Sequence, residues 1–262
     1  MSVWAARRRI YIITTATILA VFSAVFAIIL LSYQPASCED GKQNGSEFGI
    51  DCGGICPNEC PVPPKRPLDL WTRAFPLADG VYAAVAYVEN QNSDLYVPEV
   101  QFEIEVYDRN NDSITRASRR TPIMPGGVTP VFVPHIITKE RSVSHATFRF
   151  VSNPKFAVHQ NPYDIIFSNI DLDANEPSVS AVATNRGSQS LREVEFVVIL
   201  YDADNVAVAA STTVHSHIRP GESRNLAYTW VHPISLRQGP CPGGTCYRPI
   251  ERVEIIPIVY DE

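Results

Sequence analysis

The chain has 262 residues, 45% of them hydrophobic and 19% charged, with a formal charge of -6. A chain this apolar and this low in charge is excluded from general disorder, and its acidic balance excludes nucleic-acid binding, which needs Lys and Arg gathered on one face. The basic cluster it does have is Arg7, Arg8 and Arg9, and its 21 prolines against 13 glycines suit strands, turns and stiff connectors.

After these arginines, the 24 residues from Ile10 to Tyr33 carry no charge. As a helix they cover roughly 36 Å, enough to cross a hydrocarbon core with some tilt, so a transmembrane helix is predicted over 10–33 with the lipid bilayer as its partner. A cleavable signal peptide is the alternative, with small residues at Ala24 and Ala27, but its apolar core runs only about 7–15 residues. Pro35 stands where a lipoprotein signal before Cys38 wants a leucine-like residue. The arginines precede the helix, while Glu39, Asp40, Glu47, Asp51 and Glu59 against Lys42 follow it. The positive-inside rule therefore keeps residues 1–9 in the cytoplasm and puts everything after the helix outside the cell membrane. That exterior part has 19 basic against 28 acidic residues, or -9.

Cys38, Cys52, Cys56, Cys60, Cys241 and Cys246 all follow the helix, an even number that reads as disulfides in an oxidising compartment. Cys241 and Cys246 bracket Pro-Gly-Gly-Thr, a turn that brings two sulfurs together, and are the first pair expected. The other four lie in a Cys-rich module, residues 34–60, too short to bury a core of its own. Their pairing stays open among three possibilities. Zinc is the competing use, but the spacing C-x3-C-x3-C is not that of a zinc ribbon. Asp40, Asn44, Glu47 and Asp51 offer oxygens to calcium, yet without an EF-hand spacing they read as turn formers. No metal and no cofactor is assigned.

The stretch CEDGKQNGSEFGIDCGGICPNEC resembles a Cys-rich motif that recurs just outside the anchor in surface proteins of bacteria, notably of candidate phyla; its last interval here is Pro57-Asn58-Glu59, one residue longer. Pro61, Pro63, Pro64 and Pro67 then mark a stalk, residues 61–67, of roughly 20 Å in polyproline conformation.

An internal repeat follows, displaced by about 95 positions. Val100, Phe102, Ile104, Val106, Tyr107 and Asp108 match Val194, Phe196, Val198, Leu200, Tyr201 and Asp202, while Asn90 matches Asn185 and Pro125-Gly126 matches Pro220-Gly221. Period-two alternation is clearest where Val100, Phe102, Ile104 and Val106 oppose Gln101, Glu103 and Glu105. In the first copy strands are expected near 69–75, 81–89, 97–107, 113–120, 128–134 and 143–151. The fold class is mainly β: anchor helix, small disulfide-rich module and two tandem immunoglobulin-like antiparallel sandwiches at 68–155 and 156–262. The segments 104–108 and 198–202 resemble the signature of FxLYD domains, extracytoplasmic β-sandwiches related to the late-embryogenesis-abundant fold. In both copies the leading Phe is replaced, by Ile104 or Val198. That resemblance implies fold and no catalytic residues.

The chain has no Gly-x-Ser-x-Gly elbow, no His-Glu-x-x-His and no phosphate-binding glycine loop, and no enzyme activity is expected. His215 and His217, two apart on a strand, are a candidate metal pair without an evident third ligand, and a metal-dependent hydrolase would depend on them. Where the first copy has Glu103 and Glu105 the second has Val197 and Ile199, so that face is either covered by the chain itself or offered to a partner. The expected role is binding, or a structural part of the cell envelope with another envelope protein as partner; the alternative makes the sandwiches spacers for the Cys-rich module. The sequence leaves oligomeric state open.

Overall fold

The apolar run forms α1 (Val3–Ser32), which takes in the arginines and is about 45 Å long. Between Tyr11 and Ile28 every side chain faces outward. The threonines inside it satisfy themselves: Thr15 Oγ1 donates to the Tyr11 carbonyl at 2.6 Å and Thr17 Oγ1 to the Ile13 carbonyl at 2.8 Å. These bonds leave the hydroxyls with partners inside the helix itself. The computed structural model describes residues 3–32, 37–60, 63–159, 163–173, 178–230, 239–241, 244–246 and 250–260. It divides into two units, Met1–Pro63 and Pro64–Glu262.

In the second unit the first repeat supplies β1 (Leu68–Ala78), β2 (Val81–Asn90), β3 (Leu95–Tyr107), β4 (Ser113–Ile123), β5 (Gly127–Ile137), β6 (His145–Phe150) and the short β7 (Ala157–Val158). The second supplies β8 (Ile165–Asp173), β9 (Ser178–Asn185), β10 (Leu191–Asp202), β11 (Ala207–Ile218), β12 (Ser223–Thr229), the hairpin β13 (Gly239–Cys241) and β14 (Gly244–Cys246), and β15 (Ile250–Tyr260). The sheets run β1-β2-β5 and β4-β3-β6 in one copy, β8-β9-β12 and β11-β10-β15 in the other. Strand for strand these are the same topology, so the repeat seen in the sequence is a repeat of fold. β7 pairs with the start of β3, Leu95 with Val158 and Tyr96 with Ala157, which carries the first sandwich beyond the boundary at 155 read from the sequence.

Each copy buries its own core. Val100, Phe102, Ile104 and Val106 pack on Ala84, Ala86 and Val88 in the first; Val194, Phe196, Val198 and Leu200 pack on Val179, Ala181 and Leu226 in the second. A buried asparagine pins each. Asn90 Nδ2 donates to the carbonyls of Leu95 and Met124 at 2.8 and 3.0 Å; Asn185 Nδ2 donates to those of Gln189 and Ile218 at 2.8 and 3.1 Å. In each copy one buried side chain thus serves two carbonyls, of which those of Met124 and Ile218 are themselves buried. The aspartate of each repeated Tyr-Asp has an equally local cause. Asp108 Oδ1 accepts from the N–H groups of Asn110 and Asp112, and Asp202 Oδ1 from those of Asp204 and Val206, closing the turn that leads into the next strand.

The two copies differ on the opposite face. Along β3 burial alternates, because Glu103 and Glu105 face outward and pair with Arg149 and Arg116. Along β10 every residue from Val194 to Asp202 is buried. There Val197, Ile199, Tyr201, Ala210 and Ile258 form a third core cluster with Phe75, Ala83, Val85, Met124 and Phe132 of the first sandwich. The β11-β10-β15 sheet thus has apolar contact on both sides.

The last stalk residues are not a free spacer. The Lys65 N–H donates to Asn92 Oδ1 at 2.9 Å and Asn92 Nδ2 returns a bond to the Lys65 carbonyl at 2.7 Å, fixing the chain to the β2–β3 turn.

Candidate functional site

The Cys-rich module holds together through two disulfides, Cys38–Cys56 and Cys52–Cys60. This selects one of the three pairings the sequence allowed. Its Cys-Gly-Gly step is a steric requirement: Gly53 and Gly54 both have positive φ, and a Cβ on Gly54 would stand 1.7 Å from the Ser46 carbonyl oxygen. The strands β13 and β14 bring Cys241 and Cys246 onto one paired hairpin, Cys241 opposite Gly244 and Gly239 opposite Cys246. The expected bridge between those two sulfurs lies outside the described side chains.

Three of the four calcium candidates, Asp40, Glu47 and Asp51, have their carboxylates engaged within the module, whereas Asn44 Oδ1 is buried without a hydrogen-bond partner. Asp51 takes the N–H groups of Asp40 and Gly41 at 2.9 to 3.1 Å. Asp40 Oδ1 accepts from the Lys42 N–H and Oδ2 from Asn44 Nδ2, and the Asn44 bond, first among the causes, holds its carboxyl below the usual range. Glu47 Oε2 accepts from the Asn44 N–H at 3.2 Å. Among the described residues, the one grouping of three metal-ligating side chains is Cys38, Glu47 and Cys56, where both sulfurs belong to one disulfide and are therefore not thiolates.

Val197 and Ile199 are fully buried against the first sandwich. Of the two alternatives for this face, coverage by the chain or a partner surface, the structure shows the first: the β1-β2-β5 sheet supplies Phe75, Val85 and Phe132 to meet it, so Val197 and Ile199 are no partner surface.

His215 and His217 both sit on β11 but in unlike surroundings. His215 is half-buried, 6.1 Å from the Phe196 ring in an edge contact, and burial, then Arg224, push its pKa down. His217 is exposed, and its positive φ of 54° interrupts the strand's alternation.

The structure adds a set of polar contacts at the joint, of which the Tyr87–Glu254 bond crosses from one sandwich to the other. Glu254 of β15 takes the Tyr87 hydroxyl on Oε1 at 3.0 Å and the Tyr201 hydroxyl on Oε2 at 2.7 Å. Glu195, itself buried, accepts from Thr212 at 3.0 Å and Tyr260 at 2.7 Å. Burial, then the neighbouring carboxylate, raises the Tyr87 hydroxyl to about 12. Tyr201 and Tyr260 are pushed up for the same reasons. A Glu inside the run Val194 to Leu200, or between Val253 and Ile255, was the available signal. Beside these bridges a cleft of about 980 Å³ opens between the sandwiches, walled by Phe75, Leu77, Phe132, Ala209 and Trp230.

No family model and no curated protein matches this chain. Among solved structures, red sea bream transglutaminase is similar at 11% identity, with 64% of this chain and 27% of that one covered and a TM-score of 0.23. The chain spans about a quarter of that protein's length, and a likeness of this size carries no argument.

Proposed function

We propose that this is a single-pass, membrane-anchored extracytoplasmic protein whose tandem sandwiches serve as a non-enzymatic binding or structural component of the cell envelope. The observation that carries the reading is the shared core. Val197, Ile199 and Ile258 meet Phe75, Val85 and Phe132, so the two sandwiches move as one body instead of two beads on a linker. The Tyr-Asp turns of both copies support membership of the FxLYD type, whose domains stand outside the membrane. The uncharged helix behind three arginines supports the anchor and its orientation.

Protease added to intact cells tests the topology: digestion of the sandwiches, with α1 protected in the membrane fraction, is the expected result. Recovery of a protein processed after α1 and released from the membrane overturns it. Cross-linking and pull-down of the full-length protein from its native envelope then tests the role. A discrete partner retained after deletion of residues 38–60 assigns binding to the sandwiches, and one lost with that deletion assigns it to the Cys-rich module.

A further inference from the structure

The Cys-rich module is built inside out. Its interior is filled by sulfur, with Cys52 and Cys56 buried at 7% and 9% exposure, while its three large apolar side chains, Phe48, Ile50 and Ile55, are 80%, 61% and 75% exposed. They stand on fixed backbone. The Phe48 and Gly49 N–H groups donate to the Cys52 carbonyl at 3.1 and 3.2 Å, and Gln43 Nε2 donates to the Phe48 carbonyl at 3.0 Å. A protein facing only water has no cause to hold three such groups rigidly outward on so small a module.

Chain length says what covers them. With Arg9 at the cytoplasmic boundary, a hydrocarbon core of about 30 Å is crossed in roughly 20 helical residues, which brings the end of α1 at Ser32 into the outer headgroup layer. From Ser32 to Ser37, where the module begins, the chain spans at most about 17 Å. We infer that the module rests on the outer leaflet, with Phe48, Ile50 and Ile55 set among the headgroups and upper acyl chains. This inference rests on the anchored reading above. Five acidic residues, Glu39, Asp40, Glu47, Asp51 and Glu59, against Lys42 make the attraction apolar, so the lipid surface it fits is zwitterionic and not anionic.

The test places the photo-cross-linker p-benzoylphenylalanine singly at Phe48, at Ile55 and, in α1, at Phe22 in the full-length protein. Each variant is carried in phosphatidylcholine nanodiscs, with both disulfides verified before irradiation. The expected result is a phospholipid adduct at positions 48 and 55 in a yield within about threefold of that at 22. Adduct at 22 with about tenfold less at 48 and 55 overturns the inference. A cross-linked dimer through 48 or 55 overturns it too, by giving the face to a second copy. Failure at 22 itself overturns the anchored reading, and is thereby distinguished from failure of this one.

Discussion

Tyr87 in the first sandwich donates its hydroxyl to Glu254 in the second, 167 positions away, at 3.0 Å. The same carboxylate holds Tyr201 on its other oxygen, so one glutamate ties both copies across their common face. Tyr201 also lies under Arg252, whose guanidinium carbon is 3.6 Å from the ring centroid. The charge on Glu254 is thus met by two hydroxyls and by Arg252, whose Nη1 is 3.3 Å from Oε2.

That arrangement sets an alkaline limit. The Tyr87 hydroxyl is raised from 10.0 to about 12, so the folded state favours its neutral form. Its contribution is intact below pH 10 and is lost as pH rises from 10 through 12. Tyr87→Phe is expected to cost about 1 kcal/mol near neutrality. Its melting temperature should fall less steeply than wild type's above pH 10, and parallel curves for the two proteins would refute the bridge.

Asn90 and Asn185 make equivalent bonds, and their removal should have equivalent effects. Asn90→Leu strips the Leu95 and Met124 carbonyls of a donor, and Asn185→Leu those of Gln189 and Ile218. In each copy the one buried carbonyl left without its donor, that of Met124 or of Ile218, is expected to cost about 1–3 kcal/mol. Urea unfolding of each variant should show a matching loss of midpoint; a change in only one copy would break the equivalence.

Between the sandwiches, truncation should be felt where charge removal on the first copy is not. Ile199→Ala opens a hole in a fully buried contact and is expected to cost about 2–5 kcal/mol. Glu103→Ala removes an exposed ion pair with Arg149 and should stay within about 1 kcal/mol. Ile199→Glu places an unpaired charge among Phe75, Val85 and Phe132, and limited proteolysis between the repeats, after Val158, should accelerate.

For the Cys-rich module, non-reducing peptide mapping should recover Cys38 linked to Cys56 and Cys52 linked to Cys60. Replacing Cys38 and Cys56 by serine is expected to destabilise the module by about 3 kcal/mol through the loop it opens. The melting temperature of the sandwiches should not follow, since they belong to the other unit. Any other pairing would sink this assignment.

Much of this was legible from residues alone. The alternation from Val100 to Val106 specifies a strand with one wet face, and β3 has one. Matching Asn90 with Asn185 and Asp108 with Asp202 found the pins and turn caps of both copies, because such polar groups act locally and recur with the fold. What escaped was contact between copies. An apolar pair such as Val197 and Ile199 has the same sequence signature whether it meets a neighbouring sheet or a foreign protein. Only the placement of Phe75, Val85 and Phe132 decides between them. The glutamates at 195 and 254 escaped for a related reason, since their tyrosine partners lie 53, 65 and 167 positions away along the chain.

The joint between the copies also limits how the series was built. Val85 and Phe132, paired across β2 and β5, have their counterparts in Ser180 and Ala227, paired across β9 and β12 and open to water. At the other extreme, Glu103 and Glu105 hold the place that Val197 and Ile199 fill in the second copy. One copy lacks the socket and the other the plug. Repeating this same joint on either outer side would set Glu103 and Glu105, or Ser180 and Ala227, against an apolar counterpart, so the joint is specific to this order of the two copies.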